Sequence, residues 1–332
     1  QLDWVWNYGV FEFDTPNFIL KFARGRLRYY VLSYSYRHFY REYLDEGRSI
    51  TEQTLNLSDT QKKAIFETLL VNERPENKYY QYDFFFDNCA TRERDVLARA
   101  LGPDLRWHPK DPDDYGTYRE LIDGYLRDEA WADFGIDICL GQPTDNTATQ
   151  QGAMFLPDHL LAALNTAEVQ IDGRWRPLVA SQQVLLEMPR NDGAAFRYGP
   201  HLLGGVLFVL AAVVTFLGFR SRKPYRGFDV LLFSILGLLG VLILLLWTAT
   251  DHDATRWNLN LLWASPLHLV YAFMLAIRRT RRLALHYAMA MVPVTISVWF
   301  LHSGLHPAFH PIIGAVLIRL GWTVHVHRRK AG

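Results

Sequence analysis

Cysteine is nearly absent: the 332 residues hold only Cys89 and Cys139. So few exclude a disulfide framework and leave room for one bridge between the two. Charge of one sign is not in excess, with 35 Lys and Arg against 34 Asp and Glu. The basic footprint of nucleic-acid binding is missing, and no nucleic-acid partner is expected. The 12 histidines show no tight ligand spacing, so no metal and no cofactor is expected. Residue 1 is Gln, and no export leader precedes Asp3; the expectation is a piece of a longer chain that carries one. Long apolar runs are missing too, but only up to about Tyr198. Beyond it they dominate, broken by short basic or His-rich loops. A domain of soluble character at about 1–190 and a linker at 191–201 thus precede a membrane domain at 202–327.

Trp4 to Phe13 is rich in aromatic and β-branched residues and reads as strand, as does Arg28 to Tyr36; Ser49 to Leu57 is extended. Phe18 to Arg24 makes a short amphipathic turn, and His38 to Glu46 a helix stopped by Gly47. Ser58 with Gln61 is a capping box, and Ile65, Phe66, Leu69 and Leu70 form a buried stripe on the helix it opens. Further helices are expected at about 117–132, at Phe134 to Leu140, and from Phe155-Leu156-Pro157-Asp158 to Leu164. Val169 to Trp175 carries the Asp172-Gly173 signature of a hairpin, with a partner arm through Leu178 and Val179. Strands and helices in this order make an α+β domain. The many tyrosines and phenylalanines before residue 90 read either as ordinary core or as the lining of an acyl-chain groove.

The chemistry concentrates at Asp87-Asn88-Cys89. An aromatic strand from Tyr79 ends there, and a helix runs from Ala90 to Leu101, stopped by Gly102-Pro103. Asp87 and Asn88 are N-cap types, which puts Cys89 in the first helical turn. Free backbone N–H groups and the positive end of the helix dipole stabilise a thiolate there. Arg92 and Arg94 add positive charge one turn on, and Arg92 is a candidate substrate-binding residue. Cys89 is thus a candidate nucleophile; the alternative is a buried, inert thiol.

Five apolar segments follow, at about 202–219, 228–249, 259–277, 283–301 and 308–323. The first four are long enough to cross about 30 Å of hydrocarbon as helices; the fifth is shorter and carries Arg319. Arg220, Arg222, Lys223 and Arg226 fill one loop, and Arg278, Arg279, Arg281 and Arg282 another; the tail carries Arg328, Arg329 and Lys330. The remaining loops hold only Arg256. Basic loops stay cytoplasmic, which places the N-terminal domain in a periplasm, on a bacterial inner membrane, with a cytoplasmic C-terminus. The outer loops contain Asp251-His252-Asp253, Asn258-Leu259-Asn260 and the trio His302, His306 and His310. His252, Asn258 and Asn260 are candidates for holding a lipid head group; the other reading is interfacial anchoring.

Asp3-Trp4-Val5-Trp6-Asn7-Tyr8-Gly9, Phe11 to Phe18, Glu46-Gly47-Arg48-Ser49, Phe86 to Arg92, Phe155 to Asp158, Asp251-His252 and Asn258 to Trp263 together resemble the Lnb N-terminal periplasmic domain family and its membrane part. The resemblance implies a permuted papain-like (NlpC-type) extracytoplasmic α+β domain, followed by an all-α helical membrane domain of about five transmembrane helices. It also implies a lipoprotein N-acyltransferase, with a phospholipid as acyl donor, an apolipoprotein as acceptor, and a thioester on Cys89. The catalytic His of the family lies on a Phe-Gly-His segment before the Asp-Trp-Val strand, and so is expected upstream of Gln1. His38, His108, His159 and His201 do not match it. Asn88 is a candidate oxyanion donor. Asn7 falls where papain-like sites place the Asn that orients the His, or it closes a turn beside Tyr8-Gly9. The rival functions are a membrane-anchored cysteine peptidase or amidase acting on cell-wall peptides, and a non-catalytic lipid-binding module.

Overall fold

The computed structural model describes residues 3–12, 16–109, 115–189 and 196–331, the last four as backbone only. The chain divides into two compact units, 1–121 with 147–192, and 122–146 with 193–332. Residues 122–146 thus pack with the apolar helices although they precede them by about fifty positions.

In the first unit β1 (Trp4–Val10) pairs antiparallel with β2 (Arg28–Ser35), and β2 pairs with the three-residue β4 (Tyr79–Gln81). Between β1 and β2 lies α1 (Phe18–Ala23); α2 (Tyr36–Asp45) follows β2. β3 (Ile50–Leu55) pairs across the unit with β8 (Val179–Leu186). α3 (Asp59–Glu73) opens on the expected capping box: Ser58 Oγ accepts from Gln61 N at 3.3 Å, and Gln61 Oε1 from Ser58 N at 3.0 Å. Its expected stripe is only half right. Ile65 and Leu69 pack on the core, but Phe66 and Leu70 are exposed, and Gln61 is the buried residue of the helix. A polar Gln is tolerated there because its amide donates to Asp104 Oδ2 at 3.1 Å and to Gln170 O at 2.9 Å.

α4 (Cys89–Leu101) packs on α3 and β1, then β5 (Leu105–Arg106) joins the hairpin β6 (Glu168–Ile171) and β7 (Arg174–Pro177). Asp172 and Gly173 both have positive φ, 52° and 75°, as the tight turn requires. The second arm is Arg174–Pro177; Val179 already belongs to β8. The single helix expected at 117–132 is two, α5 (Tyr118–Leu126) and α6 (Ala130–Cys139), separated by a turn at 127–129. Two short helices, α7 (Gln150–Ala153) and α8 (Pro157–Thr166), complete the first unit.

The second unit is built on α9 (Gly199–Ser221), α10 (Arg226–Ala249), α11 (Leu267–Ala276), α12 (Arg281–Leu301) and α13 (Phe309–Ala331). Five stretches, 199–221, 226–249, 253–276, 278–301 and 309–327, are long and apolar enough to cross a membrane. The fifth is longer than the sequence suggests, because Arg319 is neutralised inside the bundle and the helix continues past it. The third is not one helix. Only the ten residues of α11 are α-helical, after a 3₁₀ turn at Leu259–Leu262. Asn258 Oδ1 captures Asn260 N at 2.9 Å, and Pro266 offers no N–H to continue a ladder, so the chain enters this span as a folded loop.

Candidate active site

The corner before α4 is held by its own side chains. Asp83 Oδ1 accepts from Phe85 N at 2.9 Å and Phe86 N at 3.0 Å, and the backbones of Asp83 and Asp87 pair in both directions. Asn88 is the N-cap: its Oδ1 accepts from Thr91 N at 3.0 Å, while Asn88 N donates to Thr91 Oγ1 at 2.8 Å. Both amide hydrogens are spent, one on Phe84 O at 2.9 Å and one on Phe155 O at 2.8 Å. Asn88 thus commits both amide hydrogens to the corner and acts as a clamp on it. The clamp also gives Phe155-Leu156-Pro157-Asp158 a purpose. Phe155 is 1% exposed and packs on Phe84 and Phe85, so this distant segment buttresses the Cys corner.

Cys89 is the first residue of α4, half-buried, with a free thiol; Cys139 is free as well, so there is no bridge between them. β1 passes close by. Gly9 has φ +96°, and a Cβ added there would lie 3.4 Å from Cys89 Cβ. Burial raises the thiol pKa above its ordinary value, and the like charge of Glu93 raises it further. The N–H groups of Ala90 and Cys89, and the Arg48 guanidinium, act in the opposite direction but do not win. The N-terminal turn stabilises the thiolate as the sequence suggests; desolvation outweighs it.

Arg92 is tied into the corner itself. It makes a two-pronged ion pair with Asp87, and its guanidinium lies 4.2 Å from the Tyr80 ring centre. The charge braces the corner. Arg94 bonds Asp95 at 2.7 Å and Gln151 O at 2.6 Å. Arg48, in the Glu46-Gly47-Arg48-Ser49 turn, is a cation that lowers the Cys89 thiol pKa. It is held by Glu46 Oε2 and Tyr43 OH, each at 3.0 Å, and lies 4.0 Å over the Tyr43 ring. Asn7 bonds Tyr34 OH at 2.9 Å, which in turn donates to Glu42 at 3.1 Å. Its side chain thus braces β1 against β2.

Glu93, one turn beyond Cys89, was missed as a site residue, although the i, i+4 spacing puts both on one face of α4. Its side chain is exposed, but the protein packed around it raises its carboxyl above the ordinary value. The rest of the wall is aromatic: Tyr29 stacks on Tyr82 at 4.2 Å, and Tyr29, Tyr80 and Tyr82 all feel the charge of Cys89. A Glu93→Gln variant tests the balance. Removing the like charge lowers the thiol pKa, so the alkaline rise in alkylation of Cys89 by iodoacetamide should shift to lower pH. A profile that stays in place or moves up would refute the coupling.

The second group of candidates is structural. Asn258 and Asn260 are buried at 2% and 0% exposure. Asn258 Nδ2 donates to Ile138 O at 2.8 Å, and Asn260 Nδ2 to Asp137 O at 2.9 Å, satisfying carbonyls at the end of α6. Trp263 Nε1 completes Asn260 by donating to its Oδ1 at 2.9 Å. Both amides latch α6. His252 is half-buried, and its carbonyl accepts from Thr255 N and Oγ1. Asn260→Ala leaves the Asp137 carbonyl and the Trp263 N–H buried without this partner, costing about 2–4 kcal/mol. Thermal unfolding in detergent should show it; an unchanged melting temperature would argue against the latch. Among the described residues, Asp123, Asp133 and Asp137 bring carboxylate oxygens within 4.8 Å of one another, and His306 Nε2 lies 3.3 Å from Asp133.

No curated protein and no solved structure matches the chain. Two family models do. Residues 2–124 match the Lnb N-terminal periplasmic domain, and residues 192–331 match the Lnb transmembrane domain, which covers all five apolar stretches. The chain is a multi-pass membrane protein of the Lnb family with a periplasmic N-terminal domain of mixed α/β structure.

Proposed function

We propose that the protein transfers a fatty acyl chain from a phospholipid to the α-amine of a lipoprotein diacylglyceryl-cysteine, through a thioester on Cys89. The observation that carries this reading is the placement of Cys89: first turn of a capped helix, half-buried, beside a glycine of β1 and walled by tyrosines. The likeness to permuted papain-like enzymes belongs to this proposal and supplies the base, a histidine on a segment before β1.

In the first half-reaction the histidine takes the Cys89 proton, and Sγ attacks the ester carbonyl carbon. The tetrahedral oxyanion is stabilised by backbone N–H groups at the start of α4, among them those of Cys89 and Ala90 that lower the thiol pKa. The carbon–oxygen bond breaks, the histidine protonates the departing lysophospholipid alkoxide, and the acyl group stays on sulfur. In the second half-reaction the lipoprotein amine attacks the thioester carbon, the C–S bond breaks, and the histidine takes the amine proton and returns it to the thiolate. A raised thiol pKa suits this scheme. The thiol stays protonated until the base removes its proton in the presence of a donor, which limits wasteful oxidation of a standing thiolate.

The test is to express the full-length protein in cells depleted of their own lipoprotein N-acyltransferase and to read lipoprotein N-termini by mass spectrometry. N-acylated diacylglyceryl-cysteine is the expected product; lipoproteins that keep a free α-amine would sink the proposal.

A further inference from the structure

We infer that the segment from α1 to β2 is the docking surface for the phosphate-bearing face of a lipid layer, and that it presents the phospholipid donor to Cys89. The inference rests on the acyl-transfer reading for the identity of that donor.

Three features of the first unit meet here. The first is an uncovered apolar wedge: α1 buries none of its residues, and Ile19 and Leu20 are 81% and 52% exposed. A water-facing surface has no use for two adjacent large aliphatics at such exposure, whereas an interfacial segment places them among acyl chains. The second is charge. Lys21, Arg24, Arg26 and Arg28 fall within eight residues, and no Asp or Glu occurs between Pro16 and Arg41. A groove of about 430 Å³ beside the wedge is lined by Lys21, Arg26, Arg28, Glu12, Tyr30 and Tyr79, three cations to one carboxylate. Lys78 adds a fourth cation close by, with Nζ 4.9 Å from the Tyr79 ring centre. Guanidinium groups match phosphate oxygens in pairs, and tyrosine hydroxyls suit the polar layer of a membrane.

The third feature is continuity with the thiol. Phe22 stacks on Phe18 at 6.4 Å, Phe18 on Phe11 at 6.0 Å, Phe11 meets Tyr29 at 5.1 Å, and Tyr29 stacks on Tyr82 at 4.2 Å. Tyr29 and Tyr82 share the Cys89 cluster. An apolar aromatic line thus runs from the exposed wedge to the nucleophile. The arrangement suits a lipid whose phosphate stays in the basic groove while its acyl ester reaches the sulfur. A protein partner would account for the wedge, but not for cations and acyl-compatible aromatics in one continuous surface.

Two measurements on the full-length protein in vesicles of phosphatidylglycerol and phosphatidylethanolamine test this. Ile19→p-benzoylphenylalanine should crosslink to phospholipid on irradiation, and the same residue in place of exposed Lys63 on α3 should not. In the triple variant Lys21→Gln, Arg26→Gln, Arg28→Gln, the KM of Cys89 acylation for phosphatidylglycerol should rise about tenfold or more, with kcat little changed. Adding inorganic phosphate at millimolar concentration should leave the wild-type KM unchanged. A position-19 crosslink to protein only, no crosslink, a KM unmoved by the triple variant, or competition by inorganic phosphate each overturns the inference. Because the crosslink requires no acyl transfer, lipid adducts without a thioester on Cys89 would support the docking surface and remove the acyl-transfer reading. A thioester without lipid adducts would do the reverse.

Discussion

Cys89→Ala should abolish formation of N-acylated lipoprotein and of any acyl-enzyme, with a loss of at least about a thousandfold in rate. The size of the effect follows from covalent catalysis: without the sulfur there is no atom to carry the acyl group between donor and acceptor. The variant should fold. Alanine keeps the helix start, the Asn88 cap is untouched, and losing one half-buried thiol costs about 1 kcal/mol. Intact-mass measurement after incubation with phospholipid should show an added acyl mass on the wild type that hydroxylamine removes, and none on Cys89→Ala. An acyl adduct that survives the substitution, or full activity without the sulfur, would overturn the mechanism. Asn88→Ala offers a contrast. It breaks the bonds to Phe84, Phe155 and Thr91 that aim the helix, so any fall in activity should come with a lower melting temperature. A catalytic role for Asn88 would instead lower the rate alone.

Asp229→Ala is expected to be among the most destabilising single changes in the second unit. Arg319 and Asp229 are 0% and 2% exposed, joined by Nε to Oδ1 at 2.6 Å and by a second nitrogen to Oδ2 at 2.9 Å. The guanidinium also donates to Thr215 Oγ1 at 2.7 Å and to Pro224 O at 3.4 Å, so it ties α9, the following loop and α10 to α13. Removing the carboxylate strands a cation that cannot reach water, at a cost of about 3–5 kcal/mol. Arg319→Met should cost a similar amount by stranding Asp229. The double variant Asp229→Leu, Arg319→Met should recover most of the loss, because desolvation of both ions disappears together. Unfolding midpoints in detergent, taken as a double-mutant cycle, measure the coupling. Singles within about 1 kcal/mol of wild type, or strictly additive effects, would refute the account.

Much of the architecture is legible along the chain. The Asn88-Cys89 helix start, the Ser58-Gln61 box and the Asp172-Gly173 hairpin are local patterns, settled by atoms a few residues apart. The five apolar stretches are legible for a similar reason: hydrocarbon solvates every residue of a span alike, so composition alone marks it. What the chain alone leaves hidden is whatever a distant partner decides. Asn258 and Asn260 look like exposed outer-loop donors, but their partners lie about 120 positions away on α6. Phe66 and Leu70 have helical spacing for a buried face, yet α4 and β2 cover the neighbouring face instead. Arg92 has the right spacing to aid Cys89 and is taken by Asp87.

By itself the sequence determined that five apolar stretches follow a mixed domain, that the basic loops lie on one side of the membrane, and that a cysteine opens a capped helix. These follow from hydropathy, charge placement and short-range hydrogen bonding, which need no tertiary partner. Only the folded chain decided the state of that cysteine. Its thiol pKa is a contest between two helix N–H groups, Arg48 from another segment, the like charge of Glu93, and loss of water, and folding sets the strength of each.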